Sequence, residues 1–384
     1  MTFIPYGRQD ITDEDVKAVC EVLRSDFLTQ GPAIEKFEKT VAEYCGASHA
    51  VAMNSATSAL HVACLALDLG PGDWLWTSPN TFVASANCAL YCGAQVDFVD
   101  IDPDTHNMSI EVLERKLQAA ESEGRLPKIV IPVHFAGEPC DLKAIKALAE
   151  RYRFKIIDDA SHAIGGRYGE FVIGGTPYSD ITIFSFHPVK IVTTGEGGMA
   201  VTNNPELGVK LARLRTHGIT RNPAEMTREP DGPWYYEQIG LGYNYRITDI
   251  QAALGVSQMG RLDAYINRRH ELAARYDELL APLPLKRPFR NPENLSGLHL
   301  YVIVLNDAGR RKQVFDTLRA NGIGVNVHYI PVHLQPYYQT LGFKLGDFPA
   351  AEAYYSGAIS LPMFATLTDE QQDRVVNVLS DALA

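Results

Sequence analysis

The stretch Phe184-Ser185-Phe186-His187-Pro188-Val189-Lys190-Ile191-Val192-Thr193-Thr194-Gly195-Glu196-Gly197-Gly198 sets one lysine between two apolar runs, beside a glycine-rich turn. A lysine desolvated in such a place can lose its proton and act as an amine nucleophile. The glycines let a flat ligand come close to the backbone. Alone, a lysine in a strand connection is far more often an ordinary surface residue, and its companions decide the matter. The first is Asp158-Asp159-Ala160-Ser161-His162, directly after the apolar run Phe154–Ile157. A carboxylate buried at a strand end needs a cationic or hydrogen-bonding partner. A pyridinium nitrogen would be such a partner, and the pairing would keep that ring protonated as an electron sink for carbanion chemistry. The role falls to Asp159 rather than Asp158, with His162 over the ring; the bland alternative is an aspartate capping a helix.

Further pieces fit the same chemistry. Asn54-Ser55-Ala56-Thr57-Ser58-Ala59-Leu60 places small hydroxyl residues where a strand turns into a helix. Free backbone N–H groups and the helix dipole make that point suited to a phosphate, with Thr57, Ser58 and Ser185 adding hydroxyls, although Ser and Thr cap helices everywhere. Phe82, in Ser78-Pro79-Asn80-Thr81-Phe82, can stack on a ring or serve as a core aromatic. His328 and His333 lie five apart with no carboxylate or cysteine close in sequence. That spacing does not bring them together on a helix, so no metal site is expected.

These residues need a scaffold, and the chain supplies one. Short runs that are apolar throughout (Ala50–Met53, Lys128–Val133, Phe154–Ile157, Ile181–Phe186, Met199–Thr202) alternate with helical patterns, one from Ala56 to Leu67 and one opened by Asp141. This is the pattern of a buried, mainly parallel sheet, in which ligands gather at the carboxyl ends of the strands. From Thr248 the texture becomes long helical periodicity up to Leu280. A Pro-rich break at 281–284 follows, then a strand (Leu300–Leu305), a helix (Arg311–Ala320), a Gly-bounded strand (Gly324–His328) and an amphipathic helix from about Asp369. The expectation is an α/β protein of two domains: a large ligand-binding domain over 1–250, and a linking helix with a smaller α/β domain over 251–384.

Composition narrows the partners. The chain has 384 residues, 46% hydrophobic and 21% charged, with a net charge of −11. It lacks a basic run interleaved with aromatics, so it does not read as a nucleic-acid binder. Every apolar run is interrupted before it could span a bilayer, and the first residues lack a basic flank and an apolar core, so a cytoplasmic enzyme with no membrane partner is expected. Six scattered cysteines without a C-x-x-C pair read as small buried residues of a reducing compartment.

In order along the chain, Asn-Ser-Ala-Thr-Ser-Ala-Leu, Thr81-Phe82, Asp159-Ala160-Ser161-His162-Ala163, Ser185-Phe186-His187-Pro188-Val189-Lys190 with Gly195-Glu196-Gly197-Gly198, and Gly242-Tyr243-Asn244-Tyr245-Arg246 resemble the DegT/DnrJ/EryC1/StrS family of sugar aminotransferases. The resemblance runs essentially end to end. Leu28-Thr29-Gln30-Gly31-Pro32, the Thr-Thr-Gly-Glu-Gly-Gly loop and Val327–His333 look most like its pseudaminic-acid branch, whose members aminate C4 of a UDP-linked 4-keto-6-deoxy-N-acetylhexosamine. The resemblance implies the aspartate-aminotransferase fold (fold type I of pyridoxal-phosphate enzymes). It implies pyridoxal 5'-phosphate bound as a Schiff base to Lys190, with pyridoxamine 5'-phosphate between the two half-reactions and glutamate as the amino donor. It also implies a homodimer with shared sites, in which Asn244, together with Arg246, reaches the partner's cofactor phosphate. By the same resemblance His328 and Tyr329 border the sugar-nucleotide cleft. His134, at the end of its strand, is a similar candidate, and a structural histidine is the alternative for each.

Two rivals remain on sequence grounds. By the same resemblance, a dehydratase on this scaffold would carry a histidine in place of Lys190. A non-catalytic sensor of cofactor or sugar nucleotide would have no need of Lys190, Asp159 and Thr57 together. The sugar itself, another 4-keto or a 3-keto nucleotide sugar included, is not fixed by these motifs.

Overall fold

The computed structural model describes residues 2–384. Its first half builds one sheet from the apolar runs: β1 (His49–Met53), β2 (Trp74–Thr77), β3 (Gln95–Phe98), β4 (Ile129–Ile131) and β5 (Lys155–Asp159), then, after a hairpin of β6 (Arg167–Tyr168) and β7 (Phe171–Val172), β8 (Ile181–Ser185) and β9 (Gly198–Thr202). The order is β1-β9-β8-β5-β4-β2-β3, and β9 alone runs against its neighbours. Strands β4, β8 and β9 are buried at every position, which is why they read as continuous apolar runs instead of alternating ones.

Alternate side chains of each strand enter two different cores. With α1 at Asp13–Leu23 and α2 at Pro32–Cys45, Ile129 and Ile131 join Leu60 and Ala63 of α3 (Ala56–Ala66) and Ala86 and Ala89 of α4 (Ala84–Tyr91) on one face. Val130 joins, on the other face, Phe37 of the helix Pro32–Cys45, Leu113 of Ile110–Glu123 and Ile145 of Leu142–Tyr152. Helix starts follow local rules: Ser55 Oγ accepts from Ser58 N at 3.1 Å, and Asp141 Oδ1 from Ala144 N at 3.2 Å.

The helical stretch after Thr248 is two helices, Asp249–Met259 and Leu262–Leu279, interrupted at Gly260 and Arg261. The second of them bridges two cores. Leu262, Tyr265 and Ile266 pack into the core that Val130 joins, whereas Leu272, Ala273 and Tyr276 pack into a third core. That third core belongs to a three-stranded antiparallel sheet (Leu285–Lys286, Tyr301–Leu305, Ala358–Leu361) and the helices Arg311–Ala320 and Asp369–Leu383. Ile4 joins it from the other end of the chain, bridging Ile323.

Residues 324–328 are not the strand that their sequence suggests. Only Asn326 makes a bridge, to Ser360, and the side chains of Asn326 and His328 line a cavity instead of extending a ladder. Among the described residues, no helix is long and apolar enough to cross a membrane.

Candidate active site

A cavity of about 970 Å³ opens at the carboxyl ends of β5 and β8, between the large sheet and the segment 326–329. Its floor contains Lys190, carried by the turn that follows β8, with Lys190 N donating to His187 O at 2.9 Å. The residue as a whole is only part-buried, yet its ammonium is desolvated enough that its pKa is pulled down to about 8, against the opposing attraction of Asp159.

Asp159, the last residue of β5, accepts from Ser85 Oγ at 2.6 Å through Oδ2 and from Ser161 N at 3.1 Å through Oδ1. Both oxygens are thereby fixed in direction at the cavity wall. His162 Nε2 pairs with Tyr329 Oη at 3.0 Å, while His162 Nδ1 has no partner. Burial first, and the charge of Lys190 second, hold His162 and His299 far below the ordinary imidazole pKa and push His328 down to about 3. Three neutral imidazoles therefore surround the lysine at neutral pH. Tyr329, equally enclosed, is kept firmly protonated by burial.

The N-terminus of α3 also lines the cavity, through Ser55, Ala56, Thr57 and Ser58, as does Ser185. Ser58 Oγ donates to Asn54 Oδ1 at 2.6 Å, which steadies this turn. Backbone approach here is very close: a Cβ on Gly198 would sit 2.4 Å from Ala56 N, so the last glycine of the glycine-rich stretch is needed to seat α3 against β9. Phe82, 59% exposed, lines the cavity with its ring 6.3 Å from that of Tyr329.

Three residues singled out from sequence lie outside this cavity's lining. His134 is wholly buried behind it, with Nδ1 accepting from Cys140 N at 3.1 Å and Nε2 3.8 Å from Asp158 Oδ2. Asn244 is exposed and Arg246 part-buried, on a loop tied back to β1 by Asn54 N donating to Tyr245 O at 2.8 Å. Conversely, Tyr6, Glu196, Gln251, His299 and Asn326 line the cavity without having been picked out from sequence. Tyr6 and His299 have no local pattern around them. Ser85, which holds Asp159 from α4, stands 74 residues away from it. Glu196 lay inside a stretch already noted for its glycines, and that proximity was a usable signal.

A desolvated lysine amine, a hydrogen-bonded carboxylate and a helix N-terminus rimmed with hydroxyls, all in one cavity on this sheet, fit what a pyridoxal-phosphate enzyme of fold type I requires. The chain belongs to the DegT/DnrJ/EryC1/StrS aminotransferase family, whose profile matches residues 9–380. It is 40% identical to the spore coat polysaccharide biosynthesis protein SpsC of Bacillus subtilis, over 99% of this chain and 97% of that one. Among solved structures it is similar to Helicobacter pylori PseC, an aminotransferase involved in the biosynthesis of pseudoaminic acid, at 30% identity and a TM-score of 0.92, covering 100% of this chain and 99% of that one. It is also similar to the putative sugar aminotransferase Spr1654 from Streptococcus pneumoniae in its pyridoxal-phosphate form, at 30% identity and a TM-score of 0.90 over the full length of both chains. The protein is a sugar aminotransferase that depends on pyridoxal phosphate.

Proposed function

We propose that this aminotransferase moves the amino group of glutamate to C4 of a UDP-linked 4-keto-6-deoxy-N-acetylhexosamine, in the biosynthesis of pseudaminic or a related surface-glycan sugar. The observation that carries the reading is the Lys190 amine, with its pKa near 8, in the same cavity as Asp159 and the α3 N-terminus. When bound, pyridoxal phosphate supplies the electron-poor ring that receives and returns the amino group. Lys190 would be the covalent attachment point, and its free ε-amine would serve as the base for the donor's α-proton. The same amine returns a proton in the second half-reaction, so ping-pong kinetics follow. Asp159, whose oxygens are held by Ser85 and Ser161, would support a protonated ring nitrogen. Thr57, Ser58 and Ser185, which line the cavity by the α3 N-terminus, would hold the phosphate, and His162 and Phe82 would hold the ring. His328, Tyr329 and Asn326 form the polar wall available to a sugar nucleotide.

The likeness to PseC supports the 4-keto N-acetylhexosamine. The higher identity to SpsC favours a second reading, a different 4-keto or 3-keto nucleotide sugar destined for a surface polysaccharide. A panel of UDP- and dTDP-linked keto sugars, each incubated with glutamate and cofactor and followed by product mass and NMR, separates the two. Amination of a dTDP sugar alone overturns the first.

The exposed Asn244, outside its own chain's cavity, supports a homodimer in which that loop completes the partner's site. Subunits of Lys190→Ala and Asn244→Ala, mixed and allowed to exchange, should then recover roughly a quarter of wild-type activity, because half of the dimers hold one intact site of two. No recovery, with exchange verified by native mass spectrometry, would put Asn244 outside the partner's site.

A further inference from the structure

The extended segment 242–246 sends alternate side chains to opposite sides. Asn244 bridges Thr216 and Arg246 bridges Met53, so Tyr243 and Tyr245 share one side, and Asn244, which is exposed, takes the other. The main chain of both tyrosines is pinned: Tyr243 N donates to Leu214 O at 2.7 Å, Tyr245 N donates to Arg215 O at 3.1 Å, and Tyr243 O accepts from His217 N at 2.9 Å. Their rings stack on each other, with centres 4.9 Å apart and planes 17° from parallel. His61 of α3 packs against both, its ring centre 4.8 Å from that of Tyr243 and 5.9 Å from that of Tyr245. Tyr91, the last residue of α4, closes the group at 5.4 Å from His61.

We propose that His61 is a positioning residue for the partner subunit's active site: it holds the Tyr243 and Tyr245 pair, and through that pair aims Asn244 at the phosphate of the cofactor bound there. The inference rests on the shared-site reading above. His61 is buried, and its Nδ1 lies 3.3 Å from Tyr245 Oη. Its Nε2 is buried without a hydrogen-bond partner among the described residues, so Tyr245 is the one polar contact of the ring. Leaving a buried nitrogen unpaired costs stability that an apolar side chain of similar size would not lose. The single hydrogen bond that the ring keeps goes to the loop, and so does most of its aromatic packing.

His61 does not line its own subunit's cavity, although Thr57 and Ser58, about one turn before it on α3, do. That leaves it two routes to the chemistry, through α3 to its own site or through the loop to the partner's, and the stacked tyrosines favour the loop. A short amide reaches a phosphate over a narrow range of directions, so loosening the rings that set its direction weakens the hold on the cofactor. Proton transfer by Lys190 does not depend on it.

Equilibrium dialysis of pyridoxamine phosphate against His61→Ala apoprotein should give a Kd about tenfold above wild type, while kcat at saturating cofactor falls no more than about threefold. The double variant with Asn244→Ala should bind no more weakly than Asn244→Ala alone, because the histidine acts through that residue. Hybrid dimers of one His61→Ala and one Lys190→Ala subunit, isolated through two different tags, keep a single working site: its lysine lies in the His61→Ala subunit, and its loop comes from the other. That site should reach half-maximal activity at the wild-type cofactor concentration, as should the corresponding hybrid made with Asn244→Ala. A raised requirement in the His61→Ala hybrid alone would mean that His61 acts on its own α3, and would overturn the proposal. A raised requirement in both hybrids would overturn the shared-site reading, and this inference with it. Unchanged pyridoxamine phosphate affinity in His61→Ala would also overturn it. Should that variant not fold, Tyr245→Phe, which removes only the hydroxyl beside Nδ1, replaces it in the same hybrids with an expected loss of affinity of about threefold.

Discussion

Asp158 and Asp159 are the same residue type, one position apart on β5, and the fold gives them opposite surroundings. Asp159 faces the cavity, with a serine hydroxyl and a backbone amide on its two oxygens. Asp158 faces the other side of the sheet, wholly buried, with no hydrogen bond to either oxygen and His134 Nε2 at 3.8 Å. Strand geometry sends successive side chains to opposite faces, so one step in sequence separates a carboxylate available to a ligand from one enclosed behind it. Position on a strand end selects a pair of candidates; the face decides between them.

The comparison rests on Lys190 marking the working face. Lys190→Ala should lower turnover at least ~10⁴-fold, since it removes attachment and proton transfer together, while the circular-dichroism spectrum is unchanged. Retention of cofactor absorbance through borohydride treatment and dialysis would mean that another lysine holds the cofactor, and the face has been misassigned. Asp159→Asn should cost roughly a hundredfold in kcat/KM, about 3 kcal/mol of transition-state stabilisation, with little change in Tm, because an amide does not support a protonated ring nitrogen as a carboxylate does.

A pH experiment sharpens the same contrast. Only the unprotonated amine of Lys190 can attack an aldehyde, and its pKa is lowered to about 8. The rate of pyridoxal-phosphate capture by apoprotein should therefore rise about tenfold between pH 7 and 9 and then level off. A rate still climbing steeply above pH 10 would indicate an ordinary, solvated lysine. The smallest effect belongs to Asp158→Asn, for which kcat/KM should stay within roughly threefold of wild type, any cost appearing in Tm instead. Equal kinetic losses at the two aspartates, or a larger one at Asp158, would break the comparison outright.

Much of the scaffold and the chemistry was legible because it is written locally. Continuous apolar runs encode strands buried on both faces, Ser55 and Asp141 encode helix starts, and a lysine between two strands followed by glycines encodes a turn at a strand end. Those signals span a few residues, and the structure brings Lys190, Asp159, His162, Thr57, Ser58, Ser185 and Phe82 to one cavity along with His328 and Tyr329. The run Gly324–His328 shows the limit, since a sequence that suits a strand makes one only if a neighbour offers a ladder. Here Ser360 offers a single bridge.

What the tertiary structure alone decided is which distant residues meet. Ser85 reaches Asp159 because α4 packs across the sheet, Tyr6 reaches the cavity because Ile4 is anchored in the third core, and His299 stands 4.5 Å from the His162 ring although 137 positions separate them in sequence. His134, identical by sequence criteria to a cavity histidine, was turned to the far side of the sheet. Such contacts depend on strand order and on how each element's apolar face is covered, and neither leaves a trace in the spacing of neighbouring residues.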